Sequence, residues 1–329
     1  MIYNRLGATG LKLSALSFGS WLTFGKQVED NVAKKCMHLA YDNGINFFDN
    51  AEIYSRGLSE VVMGKILRDA SWDRTSYVVS SKVFFGCGPK GPNQIGLSRK
   101  HIFEACHAAL KRMQVEYLDL FFCHRADPET GLEETVRAMN DLIVQGKVLY
   151  WGTSEWKADE ITEAIQIAKA HNWYAPVMEQ PQYNLLHRHR FEMEYAPLYN
   201  NFAYGTTIWS PLGSGMLTGK YNNGMPADFT RAKIEGMEWL AERLVGNEAE
   251  RKIFAVKEIN EIAQSLNVSL PCLAIGWVLK NKNVSSAILG ASKPEQLLEN
   301  LKALEVIDLL DESILLKLNK LTEEFTKAV

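Results

Sequence analysis

Short apolar runs alternate with longer segments of helical period along most of the chain. The runs are ALSFGS (15–20), INFFD (45–49), SYVVSSK (76–82), YLDLFFCH (117–124), VLYWGTS (148–154), PVMEQ (176–180), GTTIWS (205–210) and VSSAILG (284–290). Their apolar residues are consecutive rather than alternating, as strands of a parallel sheet buried on both faces require. Between them the apolar positions recur at helical spacing. These segments are NVAKKCMHLAYDNG (31–44, with Gly44 as C-cap), LSEVVMGKILRD (58–69), SRKHIFEACHAALKRM (98–113, with Ser98 as N-cap) and GLEETVRAMNDLIVQGK (131–147). Further helices are expected at about 158–170, 190–200, 248–266 and 270–281, and over KPEQLLENLKAL (293–304). Eight strands, each followed by helix, predict an α/β fold of the (β/α)₈ TIM-barrel type ahead of an open doubly wound sheet. The opening YNRLGATGLKLS, a Gly-containing turn between two β-like runs, predicts an N-terminal β-hairpin closing the barrel's lower end. No linker or low-complexity tract interrupts the pattern, so one domain over residues 1–329 is expected.

Composition removes several classes of function. With 47% hydrophobic residues and a net charge of −3, the chain has no electrostatic footprint for nucleic acid. No apolar run approaches the ~20 residues of a membrane-spanning helix, so membrane insertion is not expected. The start lacks a basic region followed by an apolar core, so it does not read as a secretory signal. Five cysteines without a C-x-x-C pair read as reduced thiols, which together predicts a cytoplasmic protein. His187 and His189 lie two apart with no third ligand nearby, so no metal site is expected.

In a barrel of this kind, reactive groups sit where strands end and the βα loops converge. The polar residues closing successive runs are Ser20 and Trp21, Asp49 and Tyr54, Lys82, His124, Ser154, Gln180, Trp209 and Ser210, and Ser292. Asp49, Tyr54, Lys82 and His124 form a chemical set of acid, phenol, amine and imidazole on neighbouring strands. A lysine beside a phenol lowers its pKa by roughly 1–3 units, and a carboxylate keeps a partly buried lysine charged. His124 adds a second donor to whatever oxygen meets the phenol. Singly, each residue reads as structural. Together they suit protonation of a developing alkoxide.

At these residues the sequence resembles the aldo-keto reductase superfamily, from about Tyr3 to Leu304. The resemblance rests on FFDNAEIY, VSSK and DLFFCH, and it implies that Asp49, Tyr54, Lys82 and His124 are the catalytic tetrad. AYDNGINFFDNAEIYS, RADPETGLEETVRAMNDLIVQGKVLYWGTSEW and NVSSAILGASKPEQLLEN are similar to the branch holding β subunits of voltage-gated potassium channels and their bacterial and plant relatives. That branch implies a homo-oligomer, a tetramer by resemblance, and a channel partner. Animal channel β subunits usually carry Asn where this chain has His124, so the complete tetrad favours a working reductase.

The glycine-bearing stretch SPLGSGMLTGK (210–220) is a poor Rossmann fingerprint but a plausible phosphate loop after the seventh barrel strand. There Ser210, Pro211, Leu212, Gly213 and Ser214 would bring backbone N–H groups to a pyrophosphate, with Lys220 and Arg231 supplying charge. By resemblance, Ser154, Glu155 and Gln180 border a nicotinamide, Trp209 stacks near it, and Ser20, Trp21, Gln27 and Asp49 complete that end. Gly290, Ser292, Lys293, Gln296, Glu299 and Asn300 are implied at the adenosine end. Ser292 and Lys293 at a helix N-terminus favour a 2′-phosphate, hence NADPH/NADP+, although Gln296 replaces an Arg common in the family. Trp21, Phe84, Phe85 and Trp156 are expected to line the pocket for a small carbonyl substrate. The function expected is NADPH-dependent reduction of aldehydes and ketones. The alternative is an NADPH-binding, redox-sensing accessory subunit of a potassium channel with little turnover.

Overall fold

The computed structural model describes residues 1–21, 24, 30–222 and 247–327. Gln27 and Arg231, both expected at the cofactor, lie outside the described residues. The chain divides into two compact units, the first made of Met1–Pro181, Glu194–Trp209 and Asn283–Leu298.

The first unit opens with β1 (Tyr3–Arg5) and β2 (Lys12–Ser14), an antiparallel hairpin with Tyr3 opposite Ser14. Leu6 and Leu13 project from it into a buried cluster with Phe47, Val78, Leu120, Phe122, Met178 and Ile288. Phe47, Val78 and Met178 are first residues of strands, so the hairpin plugs the end of the barrel at which strands begin. Its turn depends on Gly7, whose φ is +55° and where a Cβ would stand 2.5 Å from both Ala203 O and Gly205 N. Only glycine combines that backbone with that approach.

Eight parallel strands follow in sequence order and close on themselves. They are β3 (Leu16–Gly19), β4 (Phe47–Asp49), β5 (Val78–Val83), β6 (Leu118–Cys123), β7 (Val148–Thr153), β8 (Met178–Glu179), β9 (Gly205–Ile208) and β10 (Ser286–Leu289), with β10 paired to both β9 and β3. This is the (β/α)₈ barrel with an N-terminal hairpin that the pattern predicts. Register places Asp49 opposite Ser80 and Lys82 opposite Phe122. Because side chains alternate along a strand, Ser80 and Lys82 share one face of β5 and Ser81 points the other way. Ser81 accordingly donates to Glu60 on the helix outside, whereas Ser80 and Lys82 reach Asp49.

The connecting helices are α1 (Asp30–Asp42), α2 (Leu58–Ala70), α3 (Arg99–Met113), α4 (Leu132–Val144), α5 (Ala158–Ala170) and α6 (Ala196–Phe202). Ser98 caps α3 by accepting from His101 N, and Gly44 takes a left-handed φ of 84° after α1. The helix expected over 190–200 is instead two pieces, a wide turn at Arg190–Glu194 and then α6. Pro197 lies in the first turn of α6, where its missing N–H costs nothing, so the chain restarts there.

The second unit comprises Gln182–Met193, Ser210–Lys282 and Glu299–Val329. Its described helices include Asn247–Ser265, Leu270–Lys280, Ala303–Val306 and Glu312–Leu321. Asp311 caps the last of these, accepting from Ile314 N, and no element was expected there from the sequence pattern. Inside this unit Arg188 donates to Glu192 at 2.9 Å and to Thr322 Oγ1 at 2.6 Å. Among the described residues no single helix is long and apolar enough to cross a membrane, and no group of three His, Cys, Asp or Glu side chains converges on a metal position.

Candidate active site

The site is built from the ends of β4, β5 and β6. Asp49 closes β4 and is 3% exposed, while Lys82, near the end of β5, is wholly buried. The ammonium of Lys82 donates to Asp49 Oδ2 at 2.6 Å, to Asp49 Oδ1 at 2.8 Å and to the carbonyl of Asn50 at 2.7 Å. Ser80 Oγ and Gln180 Nε2 also donate to Asp49 Oδ1, at 2.7 and 3.1 Å. A buried ion pair survives where its spare lone pairs and protons are occupied in this way. Burial pulls the Lys82 ammonium below the usual lysine range, against the attraction of Asp49.

Tyr54 stands at the start of the loop into α2, and its hydroxyl oxygen accepts from Lys82 Nζ at 3.2 Å. The chain turns under it through three left-handed residues, Ser55, Arg56 and Gly57, with φ of 49°, 55° and 82°. Two of these are not glycine, so the turn stores strain of about 1–3 kcal/mol per residue. Ser55 Oγ helps to hold it by donating to Phe24 O at 3.0 Å. The Tyr54 hydroxyl is pushed well above the usual phenol range, first by burial and then by the Asp49 charge, with the Arg125 cation opposing. This differs from the expectation that the lysine acidifies the phenol. The ammonium is itself desolvated and tied to Asp49, so part of its field at Tyr54 is cancelled and burial outweighs what is left.

His124 follows β6, with its ring 6.1 Å from that of Tyr54 and edge-on to it. Burial, helped by the Lys82 and Arg125 cations, holds its imidazole well below the ordinary histidine range, so the ring is neutral. Its Nδ1 is buried without a hydrogen-bond partner among the described residues. The structure thus brings the four expected residues together.

Around the tetrad, Ser20 donates from N and Oγ to Asp49 O, at 3.1 and 2.9 Å. Ser154 Oγ donates to Gln180 O at 2.9 Å, and Gln180 Nε2 also reaches Thr207 Oγ1. Glu155 takes a left-handed φ of 59° and accepts from Trp209 Nε1 at 2.9 Å. Trp21, 37% exposed, lies 6.4 Å from the Tyr54 ring and 6.5 Å from Trp209. Phe85 meets Phe84 at 5.0 Å and His124 at 5.1 Å, each edge-on. Trp156 is 1% exposed, with its carbonyl accepting from Tyr195 Oη, so it packs inside rather than offering an open wall as expected. Ser292 gives both N and Oγ to Gln296 Oε1, and Lys293 and Gly290 flank that turn.

In the second unit, Gly213, Ser214 and Gly215 are consecutive left-handed residues, with φ of 55°, 56° and 93°. Pro211 and Leu212 lead into them, and Ser210 Oγ accepts from Ser214 N at 2.8 Å. Gly213 N donates to Ser210 O and Gly215 N to Leu212 O, at 2.9 Å each, so all three N–H groups of the run are spent inside the loop, and the expected phosphate cradle is not laid open by it. Lys220 packs its ammonium 4.8 Å from the Tyr221 ring centroid. Glu299 accepts from Lys302 at 2.7 Å, and Asn300 is buried.

Several residues of the site escape sequence reading. Asn50 holds Lys82 through a backbone carbonyl, for which no residue type is a signal. Glu52, 3% exposed, accepts from Phe84 N and Gly86 N at 2.8 Å each and so fixes the loop carrying Phe85. Its position in the same short segment as Asp49 and Tyr54 was the available clue. Ser80 was legible as the residue two before Lys82 on the same strand face.

A model of the "Aldo/keto reductase family" matches residues 15–320. The chain therefore belongs to the aldo/keto reductase family. Among individual relatives, it is 50% identical over 320 residues to a Schizosaccharomyces pombe protein provisionally named a voltage-gated potassium channel subunit beta, covering 97% of this chain and 92% of that one. It is 47% identical to proteins of Arabidopsis thaliana and Oryza sativa subsp. japonica, each named a probable voltage-gated potassium channel subunit beta, with 99% of this chain and 98% of each relative covered.

Proposed function

We propose that this protein is a single-domain cytoplasmic reductase that converts aldehydes and ketones to alcohols with NADPH. The observation carrying the reading is the contact of Lys82 Nζ with the Tyr54 hydroxyl oxygen at 3.2 Å, while the same ammonium grips Asp49 at 2.6 Å. Lys82 occupies a lone pair of the Tyr54 oxygen, which leaves that hydroxyl's own proton for another acceptor. The raised phenol pKa keeps the proton on Tyr54 until a substrate oxygen becomes strongly basic. As the proton leaves, the ammonium of Lys82 is already in place to stabilise the phenolate. His124, neutral and therefore carrying one N–H, orients the carbonyl. By resemblance to the family, Ser154 and Gln180 border the carboxamide of the nicotinamide, and Ser292 with Lys293 receives the 2′-phosphate. When bound, NADPH supplies the hydride that this family takes from a nicotinamide cofactor. A panel of aldehydes and ketones followed by NADPH absorbance tests the reading. Turnover at ordinary enzyme rates supports it, and tight cofactor binding with no turnover of any carbonyl overturns it.

A second reading joins the relatives named as channel β subunits to what the family resemblance of the sequence implies. On it the protein is a homotetrameric accessory subunit that binds NADPH and reports redox state to a potassium channel. Binding without turnover, together with co-purification with a channel, distinguishes it from the reductase.

A further inference from the structure

Arg125 immediately follows His124 and is half-buried. One of its guanidinium N–H groups donates to the carbonyl of His124. Its Cζ lies 5.6 Å from the centroid of the Phe85 ring, the ring that meets His124 edge-on at 5.1 Å. The guanidinium therefore lies beside the ring that packs against His124, and its positive charge bears on Tyr54, Lys82 and His124 alike. Other arginines of comparable or deeper burial are taken: Arg74 pairs with Asp119 at 2.7 Å, Arg112 with Glu60 at 2.6 Å and Arg188 with Glu192 at 2.9 Å. Among the described residues, Arg125 forms no salt bridge with any carboxylate.

A guanidinium has five N–H donors and stays charged at any ordinary pH. Half-buried without a carboxylate partner, Arg125 leaves N–H donors to water, which an anion can displace for charge-assisted hydrogen bonds. Reduction of a neutral aldehyde has no use for such a group. We propose that Arg125 is a specificity-determining residue that anchors the carboxylate of the substrate, so that the preferred substrates are short aldehydes or ketones bearing a carboxylate a few atoms from the carbonyl. This rests on the reductase reading above. The carboxylate takes the free N–H groups of Arg125, the carbonyl oxygen meets Tyr54 and His124, and the chain between them lies against Phe85. The carboxylate is a handle and undergoes no change. The C=O becomes CH–OH, with the hydride from NADPH, which leaves as NADP+, and the proton from Tyr54.

The test compares succinic semialdehyde with its neutral analogue butanal on the full chain, for wild type, Arg125→Met and Arg125→Lys. Charge-assisted recognition predicts that wild type prefers the anion in kcat/KM by at least about tenfold. In Arg125→Met that ratio falls to near one, chiefly through KM, and in Arg125→Lys it recovers in part. A wild-type ratio near one, or an unchanged ratio in Arg125→Met, overturns the inference. A thermal-shift titration of NADP+-loaded protein with 4-hydroxybutyrate and with 1-butanol adds a readout independent of turnover. Stabilisation by the anion alone, lost in Arg125→Met, supports the anchor even if no aldehyde is reduced, in which case only the reductase reading fails. Active enzyme without such dependence removes the anchor alone.

Discussion

Replacing Lys82 with methionine removes the cation that touches the Tyr54 hydroxyl. At 3.2 Å and an effective dielectric of about 20, an ammonium and a phenolate attract by about 5 kcal/mol. Asp49, held 2.6 Å from the same ammonium, cancels part of this, so a loss of about 3–4 kcal/mol of transition-state stabilisation is expected, or roughly 10²–10³ in kcat. The same substitution leaves Asp49 as a buried charge without its partner, at a cost to folding of about 3–5 kcal/mol. A double variant separates the two effects. In Asp49→Asn/Lys82→Met no charge is stranded, and the asparagine oxygen can still accept from Ser80 and Gln180. Urea unfolding should therefore show much of the stability restored in the double variant, while single-turnover NADPH oxidation stays as slow as in Lys82→Met. A folded Lys82→Met protein with kcat within about threefold of wild type would refute the reasoning, because the phenol would then need no cation. A double variant that regained turnover along with stability would refute it equally.

Two further outcomes follow from particular contacts. His124 titrates below its ordinary value in the folded protein, so as pH falls below about 6.5 the unfolded chain takes up a proton first and stability declines. His124→Asn should flatten the slope of unfolding free energy against pH just below that value, by up to about 1.4 kcal/mol per pH unit, with His101 retaining a slope of the same sign; an unchanged slope in urea titrations would contradict the assignment. Gly64 on α2 faces the backbone of α3, where a Cβ would lie 2.5 Å from Arg112 O and 2.6 Å from Met113 C. Gly64→Ala should cost about 1–3 kcal/mol, read as a lowered Tm, and an unchanged Tm would show that the two helices yield more easily than their packing implies.

The barrel was legible because each strand announces itself twice, by consecutive apolar residues and by a polar residue at its end. INFFD and DLFFCH mark both the strand and the reactive group that it presents. The strand at PVMEQ shortens to Met178–Glu179, since pairing with both neighbours extends only that far. The helix Glu312–Leu321 passed unnoticed because eight βα units had already completed the expected fold, although Asp311 before an apolar-periodic run signals its start. At the site, side-chain chemistry could be read and backbone chemistry could not. Gly57 marks only the end of the left-handed turn, so its start at Ser55 and Arg56 was hidden, and the Asn50 carbonyl carries no residue signature. The direction of the Tyr54 shift was misjudged for a related reason: residue types give the partners but not the burial that outweighs them.

The most direct measurement is the rate of a single turnover in Tyr54→Phe with NADPH affinity determined on the same preparation. The account predicts affinity within about threefold of wild type and carbonyl reduction slowed by at least about 10³, because the cofactor contacts survive and the proton does not. Reduction at the wild-type rate in that variant would show that the proton comes from elsewhere.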